Sequence, residues 1–251
     1  MRGSNLVRDT WVVFRRQMAL LLGNPVWVAV GVIQPLYFLL LFGPLLKPIL
    51  GGGNAYRVFV PGLLVQLAMF GPQFAGFGLI AELRAGVLER MRVTPVSRLA
   101  LLLGRCGRDI VSLLVQAAIL TALALPFGLS VRLGDALLAF ALLALIGLLL
   151  SALGYGVALR LRSEDGLAPL LNAVSMPLLL LSGVFLPLTF GPPWLRAVAR
   201  WNPFSWAVDA VRALFLGHTG DRHVWQALVI LGSLAVLSVF WAARCFARTV
   251  R

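Results

Sequence analysis

Six stretches of this chain carry no charged residue, and each is long enough to cross a membrane. They run 17–46, 58–81, 110–131, 136–159, 166–195 and 223–243. Even the last holds 21 residues, and a helix of ~20 apolar residues spans the ~30 Å hydrocarbon core of a bilayer. No water is present there, so only helices or closed barrels satisfy the backbone. Barrel strands alternate polar and apolar residues over ~10 positions. These runs are continuous, which predicts helices. Charged residues form 12% of the chain against roughly 25% in soluble domains, which argues against helices buried in a soluble core. The fold class is an all-α membrane protein with six transmembrane helices. Six spans with short loops use nearly all 251 residues, so residues 1–251 form a single domain.

The net charge of +13 comes from 22 basic and 9 acidic residues. In a soluble protein this balance suggests nucleic acid. Here the basic residues flank the spans, so membrane lipids with anionic headgroups supply the counter-charge. With the N-terminus inside, 15 of the 22 basic residues fall in inner segments and seven in outer ones. The positive-inside rule therefore predicts that both termini are cytoplasmic. Cys106 and Cys245 are too few for a disulfide framework and read as packing residues. The first apolar run is too long for a cleavable signal peptide.

Residues 5–22 read as an amphipathic interfacial helix. Val7, Trp11, Phe14, Met18 and Leu22 repeat on one face, with Arg8, Arg15 and Arg16 off it. Asn24-Pro25 restarts the chain, giving a first span at about 25–46; one long tilted helix from residue 11 is the alternative. The other spans are placed at about 58–81, 110–131, 136–159, 166–188 and 223–243. Pro61 and Gly71-Pro72 favour a kink in the second. Gly147, Ser151, Gly154 and Ala158 share a face of the fourth, a spacing that lets helix backbones approach. The longest inner loop is 82–109. The outer segment 189–222 has two short helices opened by Pro192-Pro193 and Asn202-Pro203, with Phe204, Val208, Val211 and Phe215 on one face of the second. With Trp194, Trp201 and Trp206 it suits an interfacial or re-entrant hairpin.

No phosphate-cradling G-x-x-x-x-G-K-[ST] motif occurs, so no ATPase is expected on this chain. No Cys or His cluster suggests a metal; His218, Asp221 and His223 read as a solvated turn. The charge-free spans contain no acidic residue, which argues against an ion-coupled carrier and against a membrane hydrolase. They do carry polar-aromatic stripes. Phe59, Gln66, Phe70, Gln73 and Phe77 share a face of the second span. Asn172, Ser175 and Ser182 share one in the fifth. Amides beside aromatics suit an amphipathic organic ligand; bonding between helices is the structural alternative.

The run Glu82-Leu-Arg-Ala-Gly86-Val-Leu-Glu89-Arg90-Met-Arg92-Val-Thr-Pro95, followed by Gly104-Arg105, resembles the cytoplasmic loop of type 2 ABC exporter permeases. The nearest groups are the daunorubicin-resistance and nodulation-type permeases. Leu181-Ser-Gly183-Val-Phe185-Leu-Pro187, with Trp201-Asn202-Pro203 and Asp209-Ala-Val-Arg212 downstream, is similar to that family's signature near the last outer segment. The resemblance implies a dimer of six-span subunits, homomeric or closely heteromeric, with two ATP-binding cassette subunits docked below. ATP and Mg would be held by those partners, with no cofactor on this chain. It further implies that residues 82–95 form a coupling helix, with Glu82, Arg84, Gly86, Glu89, Arg90, Arg92 and Pro95 engaging the ATPase. Glu82 and Arg90 pair either with the partner or within the loop. The implied function is ATP-driven export of an amphipathic drug-like or lipid-like substrate across the bacterial plasma membrane. Export of a polysaccharide or lipooligosaccharide is the alternative within the family. A channel or ion-coupled carrier is the alternative outside it.

Overall fold

The computed structural model describes residues 5–23, 26–46, 48, 55–86, 97–185 and 188–249, and among them every regular element is helical. The helices are α1 (Leu6–Leu22), α2 (Val26–Leu46), α3 (Ala55–Gln73), α4 (Ala75–Arg84), α5 (Arg98–Ala124), α6 (Leu133–Leu161), α7 (Glu164–Leu180), α8 (Pro193–Ala199), α9 (Pro203–Phe215) and α10 (Arg222–Thr249). Short 3-10 turns lie at Leu125–Phe127 and Leu188–Phe190.

Among the described residues, four stretches are long and apolar enough to cross a bilayer: Tyr56–Arg84, Arg98–Phe127, Leu133–Leu161 and Arg222–Arg248. The expected first and fifth spans are shorter. The apolar part of α2 covers Ala29–Leu45. Helix α7 has 17 residues, contains Pro169 and Pro177, and stops at Leu180 rather than at 188. The chain then turns at Gly183, whose φ of 72° lies in the left-handed region that suits glycine. The other boundary shifts run the opposite way. Helix α5 begins at Arg98, not near 110, because Ser97 caps it by accepting from the Ala100 N–H at 3.1 Å. Its 27 residues extend about 40 Å at 1.5 Å per residue, more than the hydrocarbon needs. The charged first turns of α5 are therefore part of the helix.

Helix α6 is the centre of the molecule and touches α3, α4, α5, α7, α9 and α10. Its small residues form a packing seam. A methyl group added at Gly154 would lie 2.5 Å from the Gln73 carbonyl oxygen, and one at Gly76 2.7 Å from the Gly154 carbonyl oxygen. One at Gly147 would meet Leu113 of α5 at 2.8 Å. Ser151 and Ala158 on the same face are fully buried. Between α3 and α4 the helix is interrupted at Phe74, two residues after Pro72, which has no N–H to offer the ladder.

Two apolar clusters result. The larger joins α3, α5, α6, α9 and α10 around Leu63, Leu64, Ile146, Val211 and Leu231. The smaller holds Leu79, Ile80, Leu102, Cys106, Tyr155, Cys245 and Phe246 at the arginine-rich end. Both cysteines are buried. Helix α1 is separate from α2 and lies along the start of α5. Val13 and Phe14 sit over Gly104 and Gly107; a side chain at Gly104 would collide with Val13, and one at Gly107 would press on the Phe14 ring. Val13 and Gln17 are its buried residues, while Val7, Trp11 and Leu22 face outward.

Gly154→Ala is expected to cost about 1–3 kcal/mol, because the added methyl overpacks a backbone contact. Gly166→Ala, where the methyl meets nothing, should instead stabilise by up to about 1 kcal/mol. Thermal melting of the detergent-purified protein measures both.

Candidate functional site

At the arginine-rich end, a polar cluster ties together the helices that bracket residues 85–97. Glu82 near the end of α4 forms an ion pair with Arg105 of α5. Arg105 is only 4% exposed. Gln17 of α1 donates from Nε2 to Glu82 Oε1 at 3.4 Å. One turn further along α5, Asp109 accepts from Arg108 Nε at 2.9 Å and from the Tyr155 hydroxyl of α6 at 2.6 Å. Arg84 pairs with Glu164 at the start of α7 at 3.2 Å, on the surface. Arg98 donates to the Ala247 carbonyl of α10 at 2.8 Å. Of the coupling residues named from the sequence, Glu82, Arg84 and Gly86 are therefore placed at one end of α4. Gly86 ends that helix with φ 68°. Glu89, Arg90, Arg92 and Pro95 lie outside the described residues. Glu82 pairs with Arg105, inside the 82–109 segment as one of the two alternatives had it, although the structure makes residues 98–109 the start of α5.

At the opposite end, the structure brings the two outer motifs into one lock. Arg212 of α9 is buried and donates to three carbonyls. They are Val58 of α3 at 3.0 Å, Gly183 at 2.6 Å and Val184 at 3.2 Å. Asp209 lies 3.9 Å away on the exposed side. Burial lowers the Arg212 guanidinium to about 10, with Asp209 opposing the shift, so it stays charged at neutral pH. Asn202 caps α9 by accepting from the Phe204 N–H at 3.0 Å, and its Nδ2 donates to the Leu178 carbonyl at 2.7 Å. Pro203 fills the first helical position. Trp201 is 90% exposed and takes no part in the lock.

The polar-aromatic stripes divide. Phe59, Gln66 and Gln73 are buried, and Phe70 and Phe77 half-buried. Gln73 Oε1 accepts a hydrogen bond from the Ser175 hydroxyl across α3 and α7. Gln66 Oε1 and Gln73 Nε2 are buried with no hydrogen-bond partner among the described residues. Phe74, which the sequence reading passed over, continues the aromatic row with ring centroids 6.5 Å from Phe70 and 5.8 Å from Phe77. Asn172 is exposed and stands apart, and Ser182 bonds to its own helix end at Leu179 O, 2.6 Å away. His218, Asp221 and His223 form a turn in which Asp221 accepts from the His223 N–H at 3.0 Å.

Asp109 and Tyr155 escaped the sequence reading. The charge-free run begins at 110, which placed Asp109 in a loop; within α5 it is about 16 Å from the helix start. Helix α5 thus carries a buried acid directly before its charge-free run, neutralised by Arg108 of its own helix. The signal was present in Arg105-Cys-Gly-Arg108-Asp109, an opposite-charge run directly before an apolar helix.

Arg212→Leu is expected to abolish the outer lock, since each orphaned buried carbonyl costs about 1–3 kcal/mol. Arg212→Lys should rescue only part of it, because a point charge does not fork to three acceptors. Asn202→Ala should cost about 1 kcal/mol as a lost cap. Monodisperse yield and melting temperature report all three.

Comparison with known proteins places the sequence in a family. The sequence model of the ABC-2 type transporter family matches residues 8–216. The chain is 27% identical over 255 residues to the protein named as transport permease ycf38 of Pyropia yezoensis, covering 94% of this chain and 88% of the relative. It is 29% identical over 224 residues to the daunorubicin resistance ABC transporter permease protein DrrB1 of Streptomyces coeruleorubidus, covering 86% and 77%. It is 29% identical over 192 residues to nodulation protein J of Rhizobium leguminosarum bv. trifolii, covering 74% and 72%. The matched region contains both the Glu82–Arg105 tie and the Arg212 lock, and the chain belongs to the ABC-2 type transporter family as a membrane permease.

Proposed function

We propose that this chain is the non-catalytic, membrane-spanning subunit of an ATP-driven exporter of amphipathic drug-like or lipid-like molecules. In this reading it crosses the bacterial plasma membrane six times with both termini in the cytoplasm. It pairs with a second copy and docks two ATP-binding subunits. The observation that carries the reading is the Glu82–Arg105 tie. It clamps α4, which holds the first residues of the 82–95 coupling segment, to α5, so a push on that segment reaches both helices together. The tie is desolvated on the arginine side, and a desolvated ion pair resists separation far more than an exposed one. The family match and the resistance-permease relative support the exporter class.

The substrate path runs beside α3 and α7. Gln66 and Gln73 each keep one buried polar atom unpaired by protein, next to the row Phe70, Phe74 and Phe77. Buried polar groups ordinarily find partners, so free amide atoms beside aromatic faces suit a ligand with a polar head and an apolar body.

The test is reconstitution of the chain with its ATP-binding partner in proteoliposomes. Arg105→Gln and the pair Glu89→Ala with Arg90→Ala are expected to leave ATPase copurification intact while transport per ATP falls at least several-fold. Gln73→Leu should change substrate preference with basal ATP hydrolysis unchanged. Normal transport in the Arg105 and Glu89/Arg90 variants would overturn the coupling role. A chain that purifies with no nucleotide-binding partner and still conducts would overturn the exporter reading.

A further inference from the structure

A cleft of about 240 Å³ opens between the arginine-rich ends of α6 and α10, lined by Arg160, Trp241, Arg244, Cys245 and Arg248. No described Asp or Glu lines it. Among the described residues, none of its three arginines is held in an ion pair, in contrast to Arg105 and Arg108 nearby. Two of them rest on aromatic rings instead. The Arg160 guanidinium lies 5.6 Å from the Trp241 ring centre and that of Arg244 4.2 Å from Phe240. Stacking of this kind orients a guanidinium and leaves its N–H donors free. The Trp241 ring packs closely on Gly156 of α6, where any side chain would collide with it.

Helix α10 continues upward from this cleft as an exposed apolar face. Val229, Val236, Leu237 and Phe240 are each more than half exposed. Arg244 and Arg248 extend the same face by one and two turns, four residues at a time. An apolar stripe that ends in a three-arginine cleft has the shape and charge sequence of a phospholipid, with acyl chain above and headgroup below. Guanidinium forks match phosphate oxygens two at a time, and basic pockets between spans on the arginine-rich side recognise anionic headgroups.

We propose that the cleft between α6 and α10 binds the phosphodiester headgroup of an anionic phospholipid whose acyl chain lies along the exposed face of α10. The lipid would wedge the two helix ends at a fixed distance and complete a site that the described residues leave without counter-charge. This goes beyond the exporter reading and holds whichever substrate is moved.

Native mass spectrometry of the full-length chain, titrated in detergent with phosphatidylglycerol or phosphatidylcholine, tests the assignment. The wild-type protein is expected to retain phosphatidylglycerol in preference to phosphatidylcholine. Each of Arg160→Gln, Arg244→Gln and Arg248→Gln should weaken phosphatidylglycerol retention about five-fold, the contribution of one arginine near an anionic surface. Arg196→Gln, on an exposed arginine elsewhere, should leave it unchanged. Equal retention of the two lipids by wild type, which requires no variant, would overturn the proposal. So would displacement of the lipid by millimolar inorganic phosphate, which would mark a free-anion site. Unchanged lipid retention in the three variants, with loss of the ATP-binding partner or of self-association instead, would assign the arginines to a protein interface and overturn it as well.

Discussion

The architecture depends on how closely backbones approach along α6. Between helices in lipid there is no water to expel, so association rests on van der Waals contact and interhelical hydrogen bonds. Gly147 and Gly154 on α6 and Gly76 on α4 remove the side chains that would hold the helices apart. Once α3, α4 and α5 are drawn onto α6, the groups at both ends of these helices fall within bonding range. Tyr155 then reaches Asp109, and Gln73 reaches Ser175 from the far side of the same contact.

Charge placement follows from helix length. Helices of 27–29 residues exceed the hydrocarbon thickness by roughly a third, and the surplus turns carry the ionic groups. Arg105 and Arg108 sit in the arginine-rich part of α5 and are neutralised by Glu82 and Asp109. Arg212 uses carbonyls instead, three of them from two chain segments. A buried charge is costly unless its hydrogen-bonding capacity is met, so each of these residues fixes the spacing of the elements that meet it. The arginines at the α6–α10 cleft differ: aromatic rings position two of the three, and no described acid lines the cleft.

Much of the local structure was legible from particular residues. Asn202-Pro203 marks the start of α9 because an amide cap and a proline at the first position both suit a helix N-terminus. The Gly147–Ala158 face announces a packing seam by its spacing alone. Helix lengths were less legible. A charge-free run reports where lipid contacts the chain, whereas a helix continues until its backbone loses a partner. Hence α5 starts at Ser97's cap, twelve residues before its apolar run, and α7 stops at the Gly183 turn before its run ends. The Gln66 and Gln73 stripe could be placed on one face, but whether that face looked inward was a matter of which neighbour covered it.

By itself, the sequence determined the solvent, the helical class, the asymmetry of arginines between the two ends and the family motifs. These are properties of composition and of near neighbours, and they survive without knowing any long-range contact. Only the tertiary structure decided which residues are partners. Glu82 with Arg105, Asp109 with Tyr155, and Arg212 with Val58 are 23, 46 and 154 positions apart. No periodicity within a helix encodes such pairs; they arise when the glycine seam sets the depth at which one helix meets the next.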